Sequence, residues 1–97
     1  MRYEIILAPE AVEDLKRLSA RARAQVRDAL EVHLRHEPTK ASRSRIKRLR
    51  GLSRPQYRLR VDDMRVFYDV QERRVEILAI VKKPDAAARL AREGRKT

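Results

Sequence analysis

The chain has 97 residues, 42% of them hydrophobic and 40% charged, with a formal net charge of +11 and no cysteine. That length allows one small domain with one core over residues 1–97, and the lack of cysteine excludes disulfide frameworks and thiolate metal sites. No apolar run reaches the length of a membrane span, and Met1-Arg2-Tyr3-Glu4 does not open a signal peptide, so the expected setting is cytoplasmic with no membrane partner.

Residues 1–7 alternate, with Tyr3, Ile5 and Leu7 set against Glu4 and Ile6, which predicts a short strand. Pro9 and Glu10 suit the first turn of a helix, whose apolar stripe is Val12, Leu15 and Leu18. Ser19-Ala20 interrupts that pattern. A second helix is expected from about Ala20 to Arg35, with Ala22, Val26, Ala29, Leu30 and Leu34 on one side, and Pro38 ends it. His33 and His36 have the spacing of a metal pair but no evident third ligand. A histidine near a helix C-terminus is favoured by the helix dipole in any case. No metal and no cofactor is expected.

Residues 38–56 read as a basic loop. Between Glu37 and Asp62 there is no acidic residue, while Lys40, Arg43, Arg45, Lys47, Arg48, Arg50, Arg54, Arg58 and Arg60 all fall in the gap. Ile46 and Leu49 break the run and are expected to pin it to the body, and Gly51 marks a turn. A run of cations leading into a strand points to nucleic acid or an acidic protein as partner. Lys47, Arg48, Arg50 and Arg54 are the candidates for contacting a nucleic-acid backbone.

Two stretches of period-two alternation then meet at Asp62-Asp63, a hairpin signal. A turn there pairs Val61 with Met64, Arg60 with Arg65, Leu59 with Val66, Arg58 with Phe67 and Tyr57 with Tyr68. One side of the ribbon is then apolar or aromatic throughout; the other carries Arg58, Arg60 and Arg65. Like charges directly opposite one another oppose sheet formation. Guanidinium forks match phosphate oxygens, so such a cluster is expected to hold an anion. A second turn at Glu72-Arg73 pairs Val70 with Val75, Tyr68 with Ile77, Val66 with Ala79 and Met64 with Val81. Glu76, Leu78, Ile80 and Lys82 then fall on the open side, and its apolar members call for a covering helix or partner. Pro84 opens a last helix over about 84–93, followed by a basic tail expected to fray. The predicted class is α+β: an N-terminal strand and a two-helix hairpin packed on an antiparallel sheet, in the order β-α-α-β-β-β-α.

The helix after Ala8-Pro9, the KRLRG link and the segments YRLRV, MRVFYDV and VEILAIV resemble the RelE/ParE toxin superfamily of type II toxin–antitoxin systems. The resemblance covers the chain to about Lys83 and is most specific over Arg48–Tyr68. It implies a RelE-like fold and a cognate acidic antitoxin in a hetero-oligomeric complex. It also implies a target: either messenger RNA, cut on the ribosome without a metal, or DNA gyrase, inhibited without catalysis as by ParE. Arg58 and Arg60 stand where RelE has two catalytic lysines, and Arg65 matches the arginine that grips the scissile phosphate. Lys82 or Lys83 falls near a further basic residue of the family. RelE-type toxins usually carry a tyrosine or histidine where this chain has Ala86 to Ala88, which points to the gyrase alternative or to an attenuated nuclease.

Metal-free RNA cleavage requires a deprotonated 2′-hydroxyl, a stabilised pentacoordinate phosphate and a protonated leaving oxygen. Arg58, Arg60 and Arg65 suit the middle task, where fixed positive charge meets developing negative charge. Arginine stays protonated and is a poor base. Lys47, Lys82 and Lys83 are therefore the candidates for proton transfer, a role that burial among cations would promote.

Overall fold

The computed structural model describes residues 2–96. Strand β1 (Glu4–Leu7) leads through Ala8 into helix α1 (Pro9–Arg17), and the Ser19 hydroxyl caps helix α2 (Ala20–Ala29) by accepting the Ala22 N–H at 3.1 Å. α2 runs on through a π turn at Leu30–Leu34. Five strands follow: β2 (Ile46–Arg48), β3 (Leu52–Arg54), β4 (Tyr57–Val61), β5 (Met64–Gln71) and β6 (Arg74–Lys82). Helix α3 (Lys83–Glu93) and a two-residue strand β7 (Arg95–Lys96) end the described chain.

The buried side of α1 is Ala11, Asp14 and Leu15, with Leu18 partly buried. The stripe is thus turned from the expected one, and Val12 is 36% exposed. On α2 and its π turn, Val26, Ala29, Leu30 and Leu34 are buried as their spacing predicts. Both helices pack on the apolar side of a five-stranded sheet in the order β1-β6-β5-β4-β2. β1 is parallel to β6; the remaining pairs are antiparallel.

The first hairpin has the expected register at all five positions, from Val61↔Met64 to Tyr57↔Tyr68. Asp62 takes the positive φ of its tight turn at 55° and Glu72 that of the next at 57°. The second hairpin keeps Val70↔Val75 and Tyr68↔Ile77, then departs from the expected pairing at a β-bulge. Leu78 is the extra residue, so Val66 pairs with Ile80 and Met64 with Lys82. One inserted residue exchanges the two sides of a strand. Ile80 therefore joins the core, 2% exposed, and Lys82 leaves the side that carries Arg65, where Val81 now stands.

The basic segment 38–56 is more ordered than a loop. β2 adds to the edge of β4, with Ile46 opposite Leu59 and buried beneath the helices. β3 pairs with β7, so Arg95 and Lys96 of the tail expected to fray are held in a small second sheet, while Thr97 lies outside the described residues. Gly51 turns the chain between β2 and β3 at φ 75°. At the start of the segment, the buried Tyr68 hydroxyl donates to the Pro38 carbonyl at 2.7 Å. Burial pushes the Tyr68 phenol well above its ordinary range. Tyr68→Phe leaves that carbonyl without its donor and is expected to lower stability by about 1–3 kcal/mol in urea melts; an unchanged midpoint would show the bond to be dispensable.

The second side of the sheet is covered in part by α3, which packs on β5 and β6 and helps bury Phe67. A buried ion pair ties α3 to α1. Asp14 accepts both terminal nitrogens of Arg89, at 2.9 and 2.8 Å, and also the Ile80 N–H at 3.0 Å. That N–H lies beyond the last pair between β1 and β6, at Leu7↔Ile77, so Asp14 caps a strand edge that β1 has ceased to cover. No helix among the described residues is long and apolar enough to cross a membrane.

Candidate anion-binding face

Pairing of β2, β4, β5 and β6 sets two adjacent cross-strand lines of side chains on the second side of the sheet. Lys47, Arg58 and Phe67 stand in one, and Arg60, Arg65 and Val81 in the next. Four cations thus share one patch, and among the described residues none of them forms an ion pair. Proximity of Lys47 to Arg58 depends on β2, whose three residues are too short to be read from periodicity.

The three arginines differ in how they are held. Arg60 is exposed, and its backbone N–H donates to the Arg45 carbonyl at 2.8 Å, fixing the β2 edge. Arg65 is buried, and its Nη1 donates to the carbonyls of Asp62 and Met64 at 2.9 and 2.8 Å. It is built into the hairpin turn, so its charge is pre-positioned at a structural anchor. Arg58 is half-buried, and its Nε is buried with no hydrogen-bond acceptor. Burial, then Arg65 and Arg60, pull the Arg58 guanidinium below its ordinary value. A buried donor left unpaired beside like charges is costly, and an anion seated among them relieves both costs.

The remaining candidates divide. Lys82 lies on the other side of β6 from this row, and Lys83 opens α3, its N–H bonded to the Asp63 carbonyl at 2.7 Å. Both are exposed, as is Lys47. Lys47 alone of the three lysines stands in the arginine patch. Arg48 and Arg50 are exposed along the edge, and Arg48 sits over the Tyr57 ring with its guanidinium carbon 5.0 Å from the centroid. Arg54 is engaged otherwise: Nη1 bonds Asp69 and Nη2 bonds Glu76, each at 3.1 Å. These carboxylates face one another across β5 and β6, so Arg54 relieves their repulsion and fastens β3 to the sheet. Burial pushes the Asp69 carboxyl up, against the opposing pull of the Gln56 N–H and Arg54. No group of three or more potential metal ligands occurs among the described residues.

Residues 5–87 match the family model of the ParE toxin of type II toxin–antitoxin systems. The chain belongs to the ParE toxin family. Its fold is RelE-like, as three solved structures show. A RelBE2 toxin–antitoxin complex from Mycobacterium tuberculosis contains a chain 24% identical, covering 84% of this chain and 99% of its own, with a TM-score of 0.66. An archaeal RelE–RelB complex from Pyrococcus horikoshii matches at 26% identity over 86% of this chain and 97% of its own, TM-score 0.63. A mutant E. coli RelE in the free state matches at 22% identity over 96% and 94%, TM-score 0.70. No curated protein matches the chain. Membership in the family makes the chain a toxin of a type II system.

Proposed function

We propose that this toxin is a cytoplasmic, ribosome-dependent endoribonuclease that holds the scissile phosphate of messenger RNA on the Arg58, Arg60 and Arg65 row. The observation that carries this reading is the buried, unpaired Nε of Arg58 beside the Arg60 and Arg65 guanidiniums. Fixed cations in a partly buried patch stabilise charge that develops on a phosphorane, with no reorganisation at the moment of reaction. Lys47, adjacent to Arg58 across β2 and β4, is the lysine best placed for proton transfer. Positioning of the message by the ribosome supplies the orientation that a weak acid–base set lacks. The cognate partner is an acidic antitoxin, in keeping with the complexes in which the structural neighbours were solved.

Two observations favour the second reading, a ParE-like inhibitor of DNA gyrase. The matching family model is that of ParE, and Ala86 to Ala88 offer no side chain for proton transfer at the start of α3. Purified toxin added to a translation extract is expected to produce codon-spaced cuts in the message and to leave supercoiling by gyrase unaffected. Loss of supercoiling without such cuts would replace the first reading with the second.

The basic edge is expected to add affinity without sequence preference. Replacing Lys47, Arg48 and Arg50 together should flatten the slope of log affinity against log salt by about two units, at about 0.7 per phosphate contact on single strands. Titration against two unrelated RNA oligomers checks this. An unchanged slope, with weaker binding of the antitoxin only, would assign the edge to the antitoxin instead.

A further inference from the structure

We infer that Arg48, backed by Tyr57, is a stacking platform for an unpaired base of single-stranded RNA that crosses the β2 edge of the sheet. The inference rests on the RNA reading of the arginine row and extends it to a base-binding position. Consecutive residues of a strand point to opposite sides. Lys47 therefore stands in the phosphate patch with Arg58, and Arg48 stands on the far side of the same edge, paired with Tyr57. β2 ends the sheet order, so no strand among the described residues lies beyond it to block a polymer passing from one side to the other.

The stack behind Arg48 has an order. Tyr57 lies on Tyr68 with ring centroids 5.4 Å apart and planes 16° from parallel, and Tyr68 is fully buried and bonded to Pro38. The guanidinium carbon of Arg48 stands 5.0 Å from the Tyr57 centroid, and Arg48 is an exposed residue that forms no ion pair among the described residues, although its charge helps draw the Asp69 carboxyl down. A planar cation held against an aromatic ring has lost much of its freedom before any ligand arrives, and its open side is flat. Unpaired bases stack on guanidinium planes of this kind in sequence-tolerant fashion. Edge strands often carry cations merely to prevent edge-to-edge pairing. That purpose needs no aromatic pile beneath the side chain.

Arg48→Lys separates stacking from charge, because lysine keeps the positive charge and lacks the planar fork. Affinities are measured for wild type and Arg48→Lys with two oligoribonucleotides of equal length, both 2′-O-methylated to prevent cleavage, one bearing bases and one largely abasic. Wild type is expected to bind the base-bearing oligomer about tenfold more tightly than the abasic one. Arg48→Lys is expected to erase most of that preference while leaving the salt slope on both oligomers unchanged. A preference that survives in Arg48→Lys would overturn the platform, as would equal losses on both oligomers, which would mark Arg48 as charge or scaffold only. Salt-dependent wild-type binding with no preference for bases would overturn the platform and leave the phosphate row standing. Failure of wild type to bind either oligomer would overturn the platform and turn the edge over to a protein partner, while the phosphate site stands or falls by cleavage on the ribosome.

Discussion

Asp14→Ala is expected to lose roughly 3–5 kcal/mol of stability, the range for removing one partner of a buried ion pair. The carboxylate is 4% exposed and takes three hydrogen bonds, two from Arg89 and one from the Ile80 N–H. Its loss leaves the terminal nitrogens of the Arg89 fork and a strand N–H without their acceptor inside the fold. Glu93 still reaches Arg89 Nε at 2.7 Å but cannot serve the two nitrogens that faced Asp14. Arginine stays protonated at any physiological pH, so deprotonation offers the stranded Arg89 no escape. Small domains have about 5–15 kcal/mol in all, so this variant should unfold at far lower urea or populate a state with α3 detached. Asp14→Ala combined with Arg89→Met should recover part of the loss, because the stranded charge is gone. Equal midpoints for wild type and Asp14→Ala would show that the pair does not fasten α3 to α1.

Arg58→Ala is expected to do the opposite to stability and more to function. The wild-type side chain buries a nitrogen without an acceptor and stands beside Arg60 and Arg65 with no counter-ion among the described residues. Truncation removes that burden, so the variant should melt within about 0.5 kcal/mol of wild type or above it. If the arginine row stabilises the reacting phosphate, the same truncation should cost about 100-fold or more in activity and abolish growth arrest. A residue retained at the expense of stability is what a functional site looks like in thermodynamic terms. Arg65→Ala lacks this diagnostic value, since Arg65 also fastens the turn through Asp62 and Met64. A variant of Arg58 that melts earlier than wild type yet arrests growth at full strength would make Arg58 a packing residue.

How far the chain could be read before folding depends on the range of each interaction. The first hairpin was legible because its two strands are adjacent and alternate without interruption up to Asp62. The bulge at Leu78 was not, since period two says nothing about an extra residue, and it moved Ile80 and Lys82 to the opposite side. Arg54 looked like its neighbours in the basic run. Only the sheet brings Asp69 and Glu76 together, and with them the reason for a cation there. Asp14 and Arg89 lie 75 residues apart, each within an ordinary helical pattern. The Arg58, Arg60 and Arg65 cluster was visible from pairing alone, whereas its contact with Lys47 required β2. Short strands and long-range ion pairs carry little local signal, and it is these that shape the surroundings of the site.

The central claim is that the arginine row acts on the phosphate of a ribosome-bound message. The most direct test compares cleavage rates in one translation extract for wild type and Arg58→Ala/Arg60→Ala, with matched melting curves and matched ribosome binding. The account predicts codon-spaced cuts by wild type and a rate at least about 100-fold lower for the variant, with folding intact. A folded, ribosome-bound variant that cuts the message at the wild-type rate would contradict it.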